Sequence, residues 1–126
     1  MNRVQLDKYI TDTYGITAER LFEKYPGFQV YRHSGTKKWF AMIMDIPRSR
    51  LGLKEEAPID IVNFKCDPLL IGSLRMENGF FAAYHMNKEN WITAALDGSA
   101  PDDKIKMLTD MSYELTMKKP QRKRNR

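Results

Sequence analysis

One short block combines cationic, hydrogen-bonding and aromatic side chains: Tyr84-His85-Met86-Asn87-Lys88, with Trp91 three residues on. Lys88 can meet a phosphate, His85 and Asn87 can offer hydrogen bonds, and Tyr84 or Trp91 can offer a stacking face. The same residues also suit a structural corner, with Asn87 in the turn, His85 bonded to a backbone carbonyl and Trp91 in the core. Of these, Trp91 is expected in the core and Lys88 at the surface.

A second cluster, Lys65-Cys66-Asp67, stands where a strand is expected to meet a helix N-terminus, a place that attracts anions. Lys65 suits a phosphate there. Cys66 reads as buried and inert, because Asp67 would occupy the free amides and oppose a thiolate beside it. Lys37 and Lys38 add two cations just after a turn. Arg48 and Arg50 can bind an anion, but read first as solvated loop charges.

The strongest electrostatic feature is the end of the chain, KKPQRKRNR, with six Lys or Arg and no acid over residues 118–126. Lys118, Lys119, Arg122, Lys123 and Arg124 can add phosphate affinity through counterion release. An equally good reading is a disordered, solubilising tail. Without these residues, 15 basic groups face 16 acidic ones, a net of −1 against +5 for the whole chain. The isoelectric point of about 9.4 thus belongs to the tail, and the body is near neutral.

Catalytic and metal-binding patterns are missing. There is no glycine-rich phosphate loop, nucleophile elbow or Ser/His/Asp arrangement. His33 and His85 lie far apart, one cysteine is present, and nothing has ligand spacing. Asp7 and Asp12 are too sparse for an acidic, iron-collecting ridge, and Glu55-Glu56 and Asp102-Asp103 read as a solvated loop and a helix start. No cofactor and no metal are expected, and the chain should fold without metal or disulfide.

These groups must be carried by a modest frame. At 126 residues, 42% hydrophobic and 29% charged, the chain suits one folded domain over residues 1–117 followed by the tail. The longest apolar run, Trp39 to Met44, is too short to span a bilayer, and no signal-peptide core is visible. With a lone cysteine, these features point to a reducing, cytoplasmic location.

Leu6, Tyr9, Ile10 and Thr13 share a face, predicting a helix over residues 2–13 that stops at Gly15. A short second helix is predicted over Ala18 to Lys24, capped by Thr17. Strands follow at Phe28 to Arg32 and Lys37 to Ile46, joined as a hairpin by His33-Ser34-Gly35-Thr36. Both alternate sets of the second strand are apolar, which predicts cover on both faces or light shielding on one. Ile59 to Phe64 is a third strand. Asp67-Pro68 opens a helix through Arg75, closed by Asn78-Gly79. Phe80 to Met86 is extended or irregular, and Trp91 to Leu96 is a strand. Ser99 is expected to cap the last helix with Asp102 in a capping box, and Ile105, Leu108, Met111 and Leu115 are its packing face. The class is α+β, with a mainly antiparallel sheet.

The blocks NFKCDP, GFFAAYHMNKENWITAALDGS and LTDMSYELT closely resemble the MmcQ/YjbR family. Upstream, YGITAERLFEKYPGFQVYRH and KKWFAMIMDIPRSRLGL resemble the version of that family with an extended N-terminal half, so the likeness runs from about Tyr9 to Met117. It implies a frataxin-like arrangement of helices on an antiparallel sheet, and a DNA-binding role tied to a double-wing shape whose loops grip the duplex. It implies no catalytic reaction. Ala82 stands where relatives of this kind often have proline, and the tail is outside the shared pattern. The expectation is a non-enzymatic cytoplasmic protein, monomeric or weakly dimeric, binding DNA through Lys37, Lys38, Lys65, His85, Asn87, Lys88 and the tail. The alternative is a protein- or small-ligand-binding module with no nucleic-acid role.

Overall fold

Hydrophobic alternation and turn chemistry fix most of the elements seen in the computed structural model, which describes residues 1–117. The strands are β1 (Gln29–Arg32), β2 (Trp39–Pro47), β3 (Pro58–Lys65), β4 (Phe80–Ala82) and β5 (Trp91–Ala95). They form one antiparallel sheet in the order β1-β2-β3-β5-β4, so β4 is an edge strand paired only with β5. The helices are α1 (Arg3–Tyr14), α2 (Pro68–Leu74) and α3 (Asp102–Thr116). A 3-10 turn, Arg48–Leu51, follows β2. This is the α+β class with the antiparallel sheet that the sequence predicts.

Each face of the sheet has its own apolar layer. Leu6 and Ile10 of α1, Ile71 and Leu74 of α2, and Ile105 and Leu108 of α3 pack with Phe40, Ile43, Val62, Phe64 and Ile92. The other face gathers Val30, Met42, Met44, Ile46, Ile59 and Ile61 under loop residues such as Phe22, Phe28, Leu51 and Tyr84. Helices therefore cover one side of β2 and loops the other, which explains its apolar character on both sides.

α3 is stitched into the sheet. The buried Ser112 hydroxyl donates to the Phe40 carbonyl and accepts from the Lys65 amide at 2.8 Å. One turn on, Thr116 Oγ1 lies 2.9 Å from His33 Nε2.

Three expectations are corrected. Ala18 to Lys24 is not helical: Glu19 and Val30 exchange backbone hydrogen bonds of 2.9 Å, and Glu19 takes a two-pronged ion pair from Arg32. Pairing with the edge of β1 outweighs local helix propensity there. Ser99 does not cap α3, because its amide and hydroxyl both donate to Asp97, and Pro101 precedes the helix without a side-chain cap. Asp102 instead receives the Met1 ammonium at 2.7 Å. Leu115 and Thr13 face outward, since the two packing faces are narrower than their apolar spacing suggests.

His33 supplies a pH-dependent element. It is buried between Phe40 and Tyr113, and desolvation holds its pKa below the usual histidine value. Nearby Lys38 acts in the same direction, and a hydrogen bond to the Tyr113 backbone opposes them. A lowered folded-state pKa means the unfolded chain takes the proton first. Its stabilising effect is complete above about pH 6.5 and is lost as pH falls through the folded value. The melting temperature should drop between pH 7 and pH 5.5, and His33→Gln should flatten that part of the profile. An identical slope in the variant would assign the dependence to other groups.

Candidate nucleic-acid interface

Strand register brings the sequence-predicted cations to one end of the sheet. Lys65 ends β3 and pairs with Trp91, which begins β5, while Trp39 begins the neighbouring β2. Phe64 and Ile92 point into the helix-covered core, so by alternation Lys65 and Trp91 project to the loop-covered face, as Trp39 does. The hairpin turn with Lys37 and Lys38 lies at this same end. So does the segment between β4 and β5, because Ala82 pairs with Ile92 and the chain then runs out to Trp91.

Lys37 and Lys38 are exposed, and Lys37 adopts a left-handed φ of 66° as its amide closes the turn onto the His33 carbonyl. Lys65 is half-buried. Lys88 is exposed but not free, since its Nζ donates to the Ala83 carbonyl at 3.0 Å. Asn87 shapes its own turn: Oδ1 accepts from the Glu89 amide at 2.8 Å, and its carbonyl accepts from Trp91 at 3.0 Å. His85 is exposed at φ 58°, its ring 4.1 Å from that of Tyr84. Trp91 is half-buried and belongs to neither apolar layer, contrary to the expectation of a core residue. Beyond Ala82 no strand flanks it on the β4 side, so part of the indole stays open. Lys118, Lys119, Arg122, Lys123 and Arg124 lie outside the described residues.

Two buried polar side chains hold the block in place. Asn63 and Thr93, both fully buried, hydrogen-bond each other across β3 and β5. Asn63 Nδ2 donates to the Tyr84 carbonyl at 2.8 Å, and the Tyr84 amide donates to Thr93 Oγ1 at 2.9 Å. Cys66, by contrast, is sealed off: burial, with some help from Asp67, pushes its thiol up to about 11, so it is protonated and unreactive at neutral pH.

Beside this end, a cleft of about 470 Å³ opens along the free edge of β4. Arg50 and Leu51 of the 3-10 turn, Arg75 at the end of α2, Phe81 of β4, and Tyr84, His85 and Lys88 line it, with no Asp or Glu among the lining residues. Among the described residues no three His, Cys, Asp or Glu side chains converge as metal ligands. No described helix is long and apolar enough to cross a membrane.

Residues 11–115 match the YjbR family model. The chain belongs to the YjbR family. Protein YyaQ of Bacillus subtilis is 35% identical over 92% of this chain and 98% of its own length. Protein YjbR of Escherichia coli K12 is 32% identical over 71% of this chain and 75% of its own. A crystal structure of a Pseudomonas syringae protein is 40% identical and superposes with a TM-score of 0.90, over 92% of this chain and 99% of that one. The YjbR-family match thus covers all five strands, α2, nearly all of α3, the sheet end and the cleft, and only the end of α1.

Sequence reading ranked Arg50 as a solvated loop charge and did not single out Arg75. Neither carries a local signal. Arg50 sits in a polar excursion and Arg75 at a helix end, and only the path of β4 to the sheet edge brings them together. Arg48, weighed beside Arg50, has a different role: it donates to the Ala57 and Pro58 carbonyls and closes the loop.

Proposed function

We propose that this protein binds DNA through the basic end of its sheet, without catalysing a reaction. The observation that carries the reading is where the described part of α3 finishes: Thr116 meets His33, in the turn that also holds Lys37 and Lys38, and the basic residues 118–126 follow in the sequence. A near-neutral body then places four of its cations, Lys37, Lys38, Lys65 and Lys88, at one end of the sheet. The turn at residues 33–38 and the segment 83–90 flank that end, as two projecting wings would. The free thiol of Cys66 suits a cytoplasmic protein.

Contacts of this kind position a protein on phosphates without reading bases. The test measures duplex affinity against salt for the full chain, for a chain lacking residues 118–126, and for Lys37→Asn/Lys38→Gln/Lys65→Gln. Asparagine tolerates the left-handed turn position. Each lost phosphate contact should make the log–log salt slope shallower by roughly one unit and weaken all sequences alike. Stability should change by no more than about 0.5 kcal/mol per surface substitution. Absent duplex binding, or unchanged affinity and slope in both the tail-less chain and the triple variant, would sink the proposal.

A further inference from the structure

We propose that the cleft along β4 is a binding site for a nucleotide unit, with phosphate held by Arg50, Arg75 and Lys88 and the base laid on Tyr84 and His85. This goes beyond the duplex reading and does not depend on it.

The starting observation is how the arginines are used. Among the described residues, Arg3 bonds Asp60 and Gln29, Arg20 bonds the Pro26 carbonyl, Arg32 bonds Glu19, and Arg48 bonds two loop carbonyls. Arg50 and Arg75 are the two described arginines with no side-chain hydrogen bond or ion pair to a described residue, and both line this cleft. Two guanidinium forks with no carboxylate on the wall make a site that favours a multiply charged oxyanion such as a phosphate, whose oxygens each fork can bind in pairs. Lys88 Nζ spends one of its three donors on the Ala83 carbonyl, which fixes the ammonium at the cleft and leaves the others for a ligand.

The remaining wall is apolar and aromatic, and that decides between a bare phosphate and a larger ligand. Leu51, Phe81, Tyr84 and His85 complete it, and about 470 Å³ is far more than a phosphate fills yet within the range of small-ligand sites. The Tyr84 backbone is held by Asn63 and Thr93 and its side chain packs on the loop-covered apolar layer, which preorganises the ring. His85, its ring tilted 58° to that of Tyr84, forms a second side of the aromatic wall from a left-handed backbone position, an arrangement a non-glycine residue adopts at a cost. A flat base beside its own phosphate matches both halves of the wall.

The source of the unit, a free nucleotide or an unpaired residue of a strand, is settled by the choice of probe. Calorimetry would compare dTMP, AMP, inorganic phosphate and a short oligothymidylate on the full chain. A nucleotide unit should bind at least about tenfold more tightly than inorganic phosphate, since stacking adds to the phosphate contacts. Binding of the mononucleotides assigns a free nucleotide, and binding of the oligomer alone assigns a strand. Arg50→Gln/Arg75→Gln should lose about tenfold or more in affinity, and its melting temperature should not move because neither side chain has a partner to lose. His85→Gly, which relaxes the backbone, should weaken the nucleotide probe and spare inorganic phosphate. The Lys37, Lys38 and Lys65 substitutions should leave this binding intact, so the two readings fail separately. No binding of any nucleotide probe at millimolar concentration, phosphate binding as tightly as nucleotide, or wild-type affinity in the arginine variant would each overturn the proposal.

Discussion

Gly79→Ala should destabilise the fold by about 3 kcal/mol or more. Gly79 links α2 to β4 at φ +90°, and its carbonyl accepts the Ala95 amide at 2.8 Å. A side chain at this left-handed position is strained by about 1–2 kcal/mol on its own. The new Cβ would also stand 2.6 Å from the Ala100 nitrogen and 2.8 Å from its Cα. Those are backbone atoms in the turn before α3, so no rotamer change relieves the clash. The strand and the turn must separate, and β4 loses its seat on β5. Gly72→Ala is the control. It lies within α2 with nothing inside 4 Å of its Cβ site, so alanine there should stabilise by about 0.5–1 kcal/mol. Urea midpoints at unchanged m-value would measure both. A Gly79 variant as stable as the parent would mean that Ala100 does not press on this turn.

Asn63→Leu should cost about 2–5 kcal/mol although leucine fits the space, because the loss is polar. The substitution strips a donor from the Tyr84 carbonyl, just past β4, and an acceptor from the Thr93 hydroxyl, buried in β5. Each buried polar group left alone costs about 1–3 kcal/mol. Thr93→Val should be comparable, since it orphans the Tyr84 amide. The double variant should lose clearly less than the sum, because the two side chains serve one network. Hydrogen exchange adds a local readout: amides of residues 83–90 should lose protection earlier than those of α3. Additive losses, or uniform loss of protection, would show that Asn63 and Thr93 act independently of that segment.

The strands and their order of appearance were largely legible, because alternation and turn residues are local. β2, with apolar residues on both sides, announced a second covering layer, and the loops around Phe22, Phe28, Leu51 and Tyr84 supply it. Asp67-Pro68 announced α2 for an equally local reason, its carboxylate accepting the Leu69 amide at 2.9 Å. Failure came where a distant partner decides. Residues 18–24 have helix-forming composition, yet Val30 and Arg32 claim Glu19 for the sheet edge. Ser99 had the right neighbours for a cap, but Asp97 holds it. The site divides in the same way. Lys65 and Lys88 could be named from neighbouring residues, whereas Arg50 and Arg75 acquire meaning only through the order β3-β5-β4.

The Ser112 hydroxyl, set between the Phe40 carbonyl and the Lys65 amide, also governs the sequence of events during synthesis. β2 and β3 emerge from the ribosome long before α3, and until Ser112 follows them the end of their ladder has a carbonyl and an amide without this partner. Leu6 and Ile10 of α1 likewise await Ile105 and Leu108 to close their apolar layer. The nascent chain therefore carries an open sheet face through most of its elongation, a state prone to pairing with other chains. Closure comes with α3, when its apolar face meets that of α1.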